Sequence, residues 1–278
     1  MKIVLTGAGG FIAQNLIKHL LKKDQIKIKA FLNKKTKVIK HKNIKYYIKK
    51  IENITSKDLK GYQALFHFAS TGAKNFYKNK SFFNEFKNKY EVNVVYTLNL
   101  IETAIKSGIK RFLIPGSCFE YGLAGNKKQK LSIKSKLFPK GYYSISKASL
   151  YFHIKNLVNK NKTLNFVYLR YFQVYGEGEK LPRLWAQLRY NAKNDLNFTV
   201  ENGSLVRDFI SVDQVCKKTI YFFDRYKKEG LFLKNVGNQK GVKISDFAKK
   251  WWKVFEGKKK LIIKNKKTEH IKYLISKN

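Results

Sequence analysis

Short apolar runs alternate along the chain with longer stretches in which apolar residues recur every three or four positions, and this alternation governs the first 170 residues. Runs at 2–5, 26–32, 44–48, 64–69, 111–114 and 165–170 read as strands. Between them, 10–22, 84–106 and 143–159 read as amphipathic helices, the second stopping at Gly108. Strands taking turns with helices predict a parallel sheet, and right-handed crossovers place helices on both of its faces. The expected fold class is therefore α/β, a doubly wound parallel sheet of six strands. Beyond Arg170 the rhythm breaks, and the segments at 181–190 and after Gly237 are expected to form a smaller cap over the carboxyl ends of the strands. The domains expected are 1–170, with 209–236 returning to it, and a cap from 171–208 and 237–278. No internal repeat and no Pro- or Ser-rich linker separates them.

With 278 residues and 44% hydrophobic ones, the chain can bury a large core, which excludes a disordered or low-complexity polymer. No apolar window approaches the length of a membrane span, and the apolar start stops at Thr6-Gly7, so neither a membrane span nor a secretory signal is expected. Two cysteines far apart, Cys118 and Cys216, suggest neither a disulfide framework nor a zinc site. A reducing, cytoplasmic setting fits this pattern. The five histidines show no ligand spacing with acids, so no metal is expected. The charge is lopsided, at 59 basic against 18 acidic residues. Only six of the basic residues are Arg, and the lysines are scattered among Asn, Ile, Phe and Tyr, the usage of an AT-rich genome rather than a concentrated nucleic-acid face. A solvated Lys-rich surface is the expectation, with no specific nucleic-acid partner, although such a surface attracts anionic substrates.

Thr6-Gly7-Ala8-Gly9-Gly10-Phe11-Ile12-Ala13 follows the first strand and opens the first helix. A glycine turn in that place lets backbone approach a pyrophosphate, and the helix start offers free N–H groups and a partial positive charge. Dinucleotide binding through Gly7, Gly9, Gly10, Phe11 and Ile12 is the expectation.

Here the sequence resembles the extended short-chain dehydrogenase/reductases, specifically the NAD-dependent epimerase/dehydratase family acting on nucleotide sugars. The resemblance spans nearly the whole chain. Leu65-Phe66-His67-Phe68-Ala69-Ser70 resembles that family's fourth-strand segment, which places Phe68, Ala69 and Ser70 beside the cofactor. Asn93 in Val92-Asn93-Val94 matches a helix Asn whose implied role is support of the active site. The stretches 170–176 and 207–213 resemble two further signatures. The resemblance implies a Rossmann sheet with a C-terminal substrate-binding cap, a nucleotide-sugar substrate and NAD or NADP, and it leaves room for a homodimer.

The expected catalytic set is Ser117, Tyr143 and Lys147. Tyr143 and Lys147 are four apart, so a helix stacks them on one face. A free phenol titrates near pKa ~10, and a fixed positive charge beside it favours the phenolate. Lys147 is thus expected to activate Tyr143, and the resemblance implies that it also holds the nicotinamide ribose. Ser117, just past the fifth strand, can hydrogen-bond the reacting oxygen. Tyr142 is a competing phenol about 100° round the helix, without a lysine four residues on. His67 reads as a satisfied near-core histidine. Cys118 and Phe119 are expected to line the substrate pocket with Ser117, and they stand where the resembled dehydratases carry Asp-Glu. Arg207 is the expected diphosphate clamp, with Gln173 beside it in place of the usual Asn; Arg170 and Tyr175 read as structural. Trp185 is left open between stacking on a base and filling the cap.

After the second strand, Asn33-Lys34-Lys35-Thr36-Lys37 lacks the acid that would bind the ribose diol of NAD, so Asn33 and Lys34 favour NADP over NAD. The missing dehydratase pair, the missing acid and a tail shorter than in the longer epimerases lean toward an NADPH-dependent reductase of a 4-keto nucleotide sugar for surface polysaccharide synthesis. A 4-epimerase with bound NAD is one alternative. A non-catalytic polyanion-binding or regulatory Rossmann protein is another.

Overall fold

The computed structural model describes residues 1–72, 81–265 and 270–277, so residues 266–269 and 278 of the expected cap lie outside it. In chain order its strands are β1 (Lys2–Thr6), β2 (Lys27–Leu32), β3 (Ile44–Ile48), β4 (Ala64–His67), β5 (Arg111–Ser117), β6 (Asn165–Tyr171) and β7 (Gln173–Tyr175). They continue as β8 (Phe198–Glu201), β9 (Val206–Arg207), β10 (Phe209–Ser211), β11 (Gly230–Val236), β12 (Val242–Lys243), β13 (Leu261–Lys264) and β14 (Tyr273–Leu274). The helices are α1 (Phe11–Leu20), α2 (Ser56–Leu59), α3 (Phe82–Tyr90), α4 (Tyr96–Lys106), α5 (Tyr142–Lys160), α6 (Leu184–Lys193), α7 (Val212–Arg225) and α8 (Ile244–Val254).

Seven strands form one parallel sheet in the order β11-β6-β5-β4-β1-β2-β3. The six expected strands all form. The seventh, β11, pairs with β6 along its whole length from Gly230–Asn165 to Val236–Tyr171. It escapes the apolar pattern because it is an edge strand: its first five residues are only half-buried, and Lys234 and Asn235 interrupt the run.

Period-two alternation distributes the core to both faces. On β1, Ile3 and Leu5 join the cluster under α1 and α7, whereas Val4 joins the cluster under α4 and α5. On β6, Val167 and Leu169 go to the first face, Phe166 and Tyr168 to the second. Each face is thereby sealed by helices, which is what a parallel sheet requires. A third apolar cluster joins α6, α8 and β8 through Trp185, Leu188, Val200, Phe247 and Trp252. A fourth, built on Cys118, Tyr121, Leu131, Phe172, Ile271 and Leu274, fastens the end of the chain to the carboxyl side of β5 and β6.

The chain runs outward from β1 to β2 and β3, then returns to β4 on the other side of β1. At such a reversal the connections leave in opposite directions and a crevice opens at the strands' carboxyl ends. The residues that follow β1, β4 and β5 are carried to that crevice.

Candidate active site

Gly7 leaves β1 with φ +67°, and a Cβ there would lie 2.4 Å from the Ala69 amide nitrogen and 2.5 Å from the Phe68 carbonyl carbon. The glycine turn and the segment after β4 are therefore packed backbone to backbone, and only glycine permits both the angle and the approach. At Gly9 an added Cβ would meet Thr36 Cγ2 at 2.8 Å, so the loop after β2, with exposed Asn33 and Lys34, closes over the same turn. Helix α1 then starts at Phe11 and Ile12 from Gly10 with no capping side chain and no acid in its first turn. An uncapped helix start with a cradle that a side chain would fill fits the pyrophosphate of a dinucleotide.

Ser117 is the last residue of β5 rather than a residue beyond it. Its hydroxyl accepts from the Phe119 amide at 3.2 Å and lies near enough to Tyr143, in the first turn of α5, to act on its phenol. Tyr143 rather than Tyr142 makes this contact; the Tyr142 ring packs at 6.0 Å from Phe86 of α3. Lys147 lies one turn on and is 5% exposed. It occupies the stripe that continues inward as Leu150, Ile154 and Val158, so a cation stands where a helix of this kind would ordinarily place an apolar residue.

The electrostatics differ from the expectation. Burial is the largest influence on the Tyr143 phenol and pushes it up to about 12; the Ser117 hydrogen bond opposes this, Glu120 and Cys118 add to it, and the Arg183 charge opposes it. Lys147 is not the group that sets it. Burial instead takes the Lys147 ammonium down to about 8, against the upward pull of Glu120. At neutral pH the site thus presents a protonated phenol beside a protonated amine.

Asn93 ties these parts together. It sits in a π-helical turn, Glu91–Val95, between α3 and α4, where the long helix expected at 84–106 widens by one residue per turn. Its Oδ1 accepts from the Ser70 hydroxyl at 2.9 Å and the Thr71 amide at 2.8 Å, while its Nδ2 donates to Ser146 Oγ at 3.0 Å. The loop after β4 is thereby joined to α5 between Tyr143 and Lys147. Beneath it, Thr97 Oγ1 donates to Val92 O, so His67 Nε2 donates to Thr97 Oγ1 at 2.9 Å and His67 Nδ1 accepts from Thr6 Oγ1 at 2.8 Å. Burial, and secondarily the charge of Lys147, takes the imidazole down to about 3 and keeps it neutral.

Glu120 received no role from the sequence, and the structure gives it a central one. Its carboxylate is fully buried. It accepts from the Ser117 amide at 2.7 Å, the Tyr168 hydroxyl at 2.9 Å and Arg170 Nε at 2.7 Å. Arg170 Nη1 donates to the Tyr121 hydroxyl, which donates to Asn235 Oδ1, and Asn235 Nδ2 donates to Leu131 O and Lys277 O. One polar chain, buried for most of its length, therefore runs from the backbone of Ser117 to the carbonyls of Leu131 and Lys277. Two glutamates or aspartates meeting one Arg of a core strand would have been a signal; a single Glu inside Gly116-Ser117-Cys118-Phe119-Glu120-Tyr121-Gly122 is not.

A cavity of about 680 Å³ opens beside Tyr143 and is bordered by Phe119, Tyr142, Gln173 and Arg207 among others. Here Cys118 departs from its expectation, Arg207 has partners within the chain, and Trp185, left open by the sequence, takes a place in the cap. Cys118 does not border the cavity: it is 2% exposed, packs with Tyr121, Leu131 and Phe172, and burial pushes its thiol up to about 12. Arg207 does border it, but its guanidinium donates to the carbonyls of Val206, Ile271 and Lys272, so it pins the end of the chain before it meets any ligand. Next to it, buried Asp208 accepts from the amides of Asn238, Gln239 and Ser276, fastening the same segment. Trp185 fills the cap, edge-on to Trp251 and Phe255 at 5.6 and 5.2 Å.

The model of the NAD dependent epimerase/dehydratase family matches residues 3–232. The chain belongs to this family. It is accordingly an enzyme of the epimerase/dehydratase type, and solved structures share its fold. A UDP-glucose 4-epimerase from Thermotoga maritima, solved with UDP-glucose, is similar at TM-score 0.84 and 20% identity over 100% of this chain and 90% of that one. A UDP-glucuronic acid 4-epimerase from Bacillus cereus, solved with UDP-glucuronic acid and NAD, is similar at TM-score 0.85 and 21% identity over 100% and 90%. A dTDP-glucose 4,6-dehydratase from Bacillus anthracis, in complex with NAD, is similar at TM-score 0.82 and 21% identity over 99% and 88%. Among the described residues, this epimerase/dehydratase has no helix long and apolar enough to cross a membrane.

Proposed function

We propose that this enzyme reduces a 4-keto nucleotide sugar with NADPH, Tyr143 giving the proton. The observation that carries the reading is Tyr143 on the border of the cavity, close enough to Ser117 for that hydroxyl to act on its phenol, with Lys147 one turn below. Gly9, Gly10, Phe11 and Ile12 would hold the pyrophosphate, Asn33 and Lys34 the adenosine ribose, Phe68, Ala69 and Ser70 the crevice wall, and Tyr143 with Lys147 the nicotinamide ribose. The bound nicotinamide supplies the hydride. A carbonyl oxygen hydrogen-bonded by Ser117 gains basicity as the carbon is reduced, and Tyr143 protonates it. A phenol raised to about 12 is fully protonated at neutral pH, which suits a donor better than a base. The ammonium of Lys147 stabilises the negative charge left on Tyr143 in the transition state.

Dehydration is disfavoured by the residues themselves. Elimination of water needs an acid and a base beside the reacting ring, whereas the two positions after Ser117 hold a buried thiol and the phenyl ring of Phe119. Preference for NADP rests on the loop after β2, where exposed Lys34 and Lys35 stand and no carboxylate does. A 4-epimerase using tightly held NAD is the second reading, favoured by the NAD and the epimerase activity named for the solved relatives. Screening 4-keto sugars on uridine, thymidine and cytidine diphosphates for consumption of NADPH, followed at the reduced nicotinamide band, tests the first reading. One accepted substrate with one NADPH oxidised per product is the expected result. No oxidation with any of them would remove it.

A further inference from the structure

Beside Ser117 and Tyr143 lies a fully buried carboxylate that the proton transfer does not use, Glu120. It completes a capping box with Ser117 over the turn Cys118–Tyr121. A cap occupies one contact, whereas this carboxylate reaches on into β6. Its Oε1 accepts from both the Ser117 amide at 2.7 Å and the Tyr168 hydroxyl at 2.9 Å. The same hydroxyl also lies 3.2 Å from the carbonyl oxygen of Lys147, so one phenol proton is shared between Glu120 and α5. Burial, and then the Glu120 charge, holds the Tyr168 phenol well above its ordinary range, which keeps it a donor.

Room for this junction is made one residue before Ser117. A Cβ on Gly116 would lie 2.3 Å from Tyr168 Cε1 and 2.7 Å from Glu120 Oε1. Gly116 is a strand residue of β5, so space rather than backbone angle calls for glycine there. Stability alone does not call for the carboxylate, since apolar residues of similar volume in place of a buried pair such as Glu120 and Arg170 are often as stable. What apolar residues cannot do is accept from Ser117 and Tyr168 at once.

Ser117 belongs to β5, and Tyr143 and Lys147 belong to α5, so the geometry of proton transfer depends on how these two elements are held together. We propose that Glu120 is a positioning residue for the reaction: through the Ser117 amide and the Tyr168 hydroxyl, one buried carboxylate fixes the end of β5 against the Lys147 turn of α5. This rests on the roles given above to Ser117, Tyr143 and Lys147, and it holds for reduction and epimerisation alike. A second effect follows from its charge. The ionisable groups facing Glu120 are Cys118 and Tyr121 on its own turn, Tyr168 and Arg170 on β6, and Tyr143 and Lys147 on α5; Lys147 also faces His67 of β4. Of the groups facing Glu120, Lys147 changes charge near pH 8, and Glu120 is what opposes burial there.

The test measures kcat, KM and their pH dependence on the full chain, as NADPH oxidation by the keto sugars screened above, or as interconversion of UDP-glucose with its C4 epimer if the second reading holds. Tyr168→Phe keeps the ring and the Glu120 charge but removes the shared hydroxyl. Its kcat should fall about tenfold, the worth of one hydrogen bond, with KM and the pH limb unchanged. Glu120→Gln removes the upward pull on Lys147, so the decline of kcat/KM should begin at lower pH than in wild type. Glu120→Gln combined with Arg170→Met also removes the guanidinium left without a counter-charge, and it should show the same displaced limb if the single variant folds poorly. A readout without substrate is the Ser117 amide resonance in protein labelled with nitrogen-15 serine, assigned by its loss in Ser117→Ala. It should move when Glu120→Gln replaces a carboxylate acceptor by an amide. Folded variants that lose stability in urea yet keep the wild-type kcat and pH limb would reduce Glu120 to a structural cap and overturn the proposal, leaving the catalytic reading in place. Wild type that carries out neither reaction would remove the catalytic reading and this inference with it.

Discussion

Two adjacent phenols, Tyr142 and Tyr143, differ in what they touch, and that difference predicts opposite outcomes for the same substitution. Tyr143→Phe removes the hydroxyl beside Ser117, and turnover should fall by about 10²- to 10⁴-fold, the usual worth of a general acid, with cofactor affinity nearly unchanged. Tyr142→Phe keeps the ring against Phe86 and should stay active. Steady-state rates with a cofactor titration check both, and an inactive Tyr142→Phe beside an active Tyr143→Phe would reverse the assignment. The pH dependence follows from Lys147, whose ammonium burial lowers to about 8. Below that value the charge that supports proton donation is present, and above it the charge is lost, so kcat/KM should decline as pH rises through about 8. Tyr143, raised to about 12, contributes no limb in the neutral range. A flat profile from pH 7 to 9 would contradict this. The spacing of Tyr143 and Lys147 was legible in the sequence because four residues make one helical turn. The direction of their shifts was not, because burial outweighs the pairwise charge and burial is decided by residues far along the chain.

The helix α5 and the strand end of β5 show why some elements could be read and others not. Helix α5 announces itself by length, and its buried stripe passes from Ser146 and Lys147 to Leu150, Ile154 and Val158, so a polar site is grafted on an apolar anchor. The π turn at Glu91–Val95 was invisible, since one extra residue per turn leaves the apolar pattern almost intact, yet it is what aims Asn93 at Ser70, Thr71 and Ser146. Glu120 and Arg170 were likewise unreadable as a pair, being fifty residues apart in sequence and joined only by the pairing of β5 with β6. Their energetics give a sharp expectation. Glu120→Ala leaves a buried guanidinium without its counter-charge and releases the Ser117 amide, and it should cost about 3–5 kcal/mol of stability. Glu120→Leu combined with Arg170→Met removes both charges and should cost clearly less than the single change. Urea denaturation of the two variants checks this; a double variant as unstable as Glu120→Ala would mean that the pair is worth more than its desolvation.

At the scale of the whole molecule, charge and cofactor exchange each give a test. The formal charge of +41 is spread around the surface lysines, so any binding of nucleic acid should be indifferent to sequence and fall steeply with salt as counterions are released. Sequence-selective binding at physiological salt would revive the polyanion-binding alternative. Reductase and epimerase cannot be told apart by Ser117, Tyr143 and Lys147, because both reactions need a proton moved at the same oxygen. They differ in whether the cofactor must leave. An epimerase returns the hydride to the sugar and gains by never releasing its dinucleotide; a reductase must exchange it in each cycle. In this chain the loop after β2 brings no carboxylate to the ribose diol, and Asn33, Lys34 and Lys35 are all exposed, which makes a tightly retained NAD harder to hold. The enzyme should therefore purify largely free of nucleotide and bind NADPH more tightly than NADH, with Lys34→Glu shifting that preference toward NADH by about tenfold, the scale of one charged contact. The absorbance ratio and nucleotide content of the protein as isolated, followed by titration with both reduced cofactors, decide the matter. Stoichiometric NAD retained through purification, with two 4-hydroxy epimers interconverted and no reduced cofactor consumed, would establish the epimerase instead.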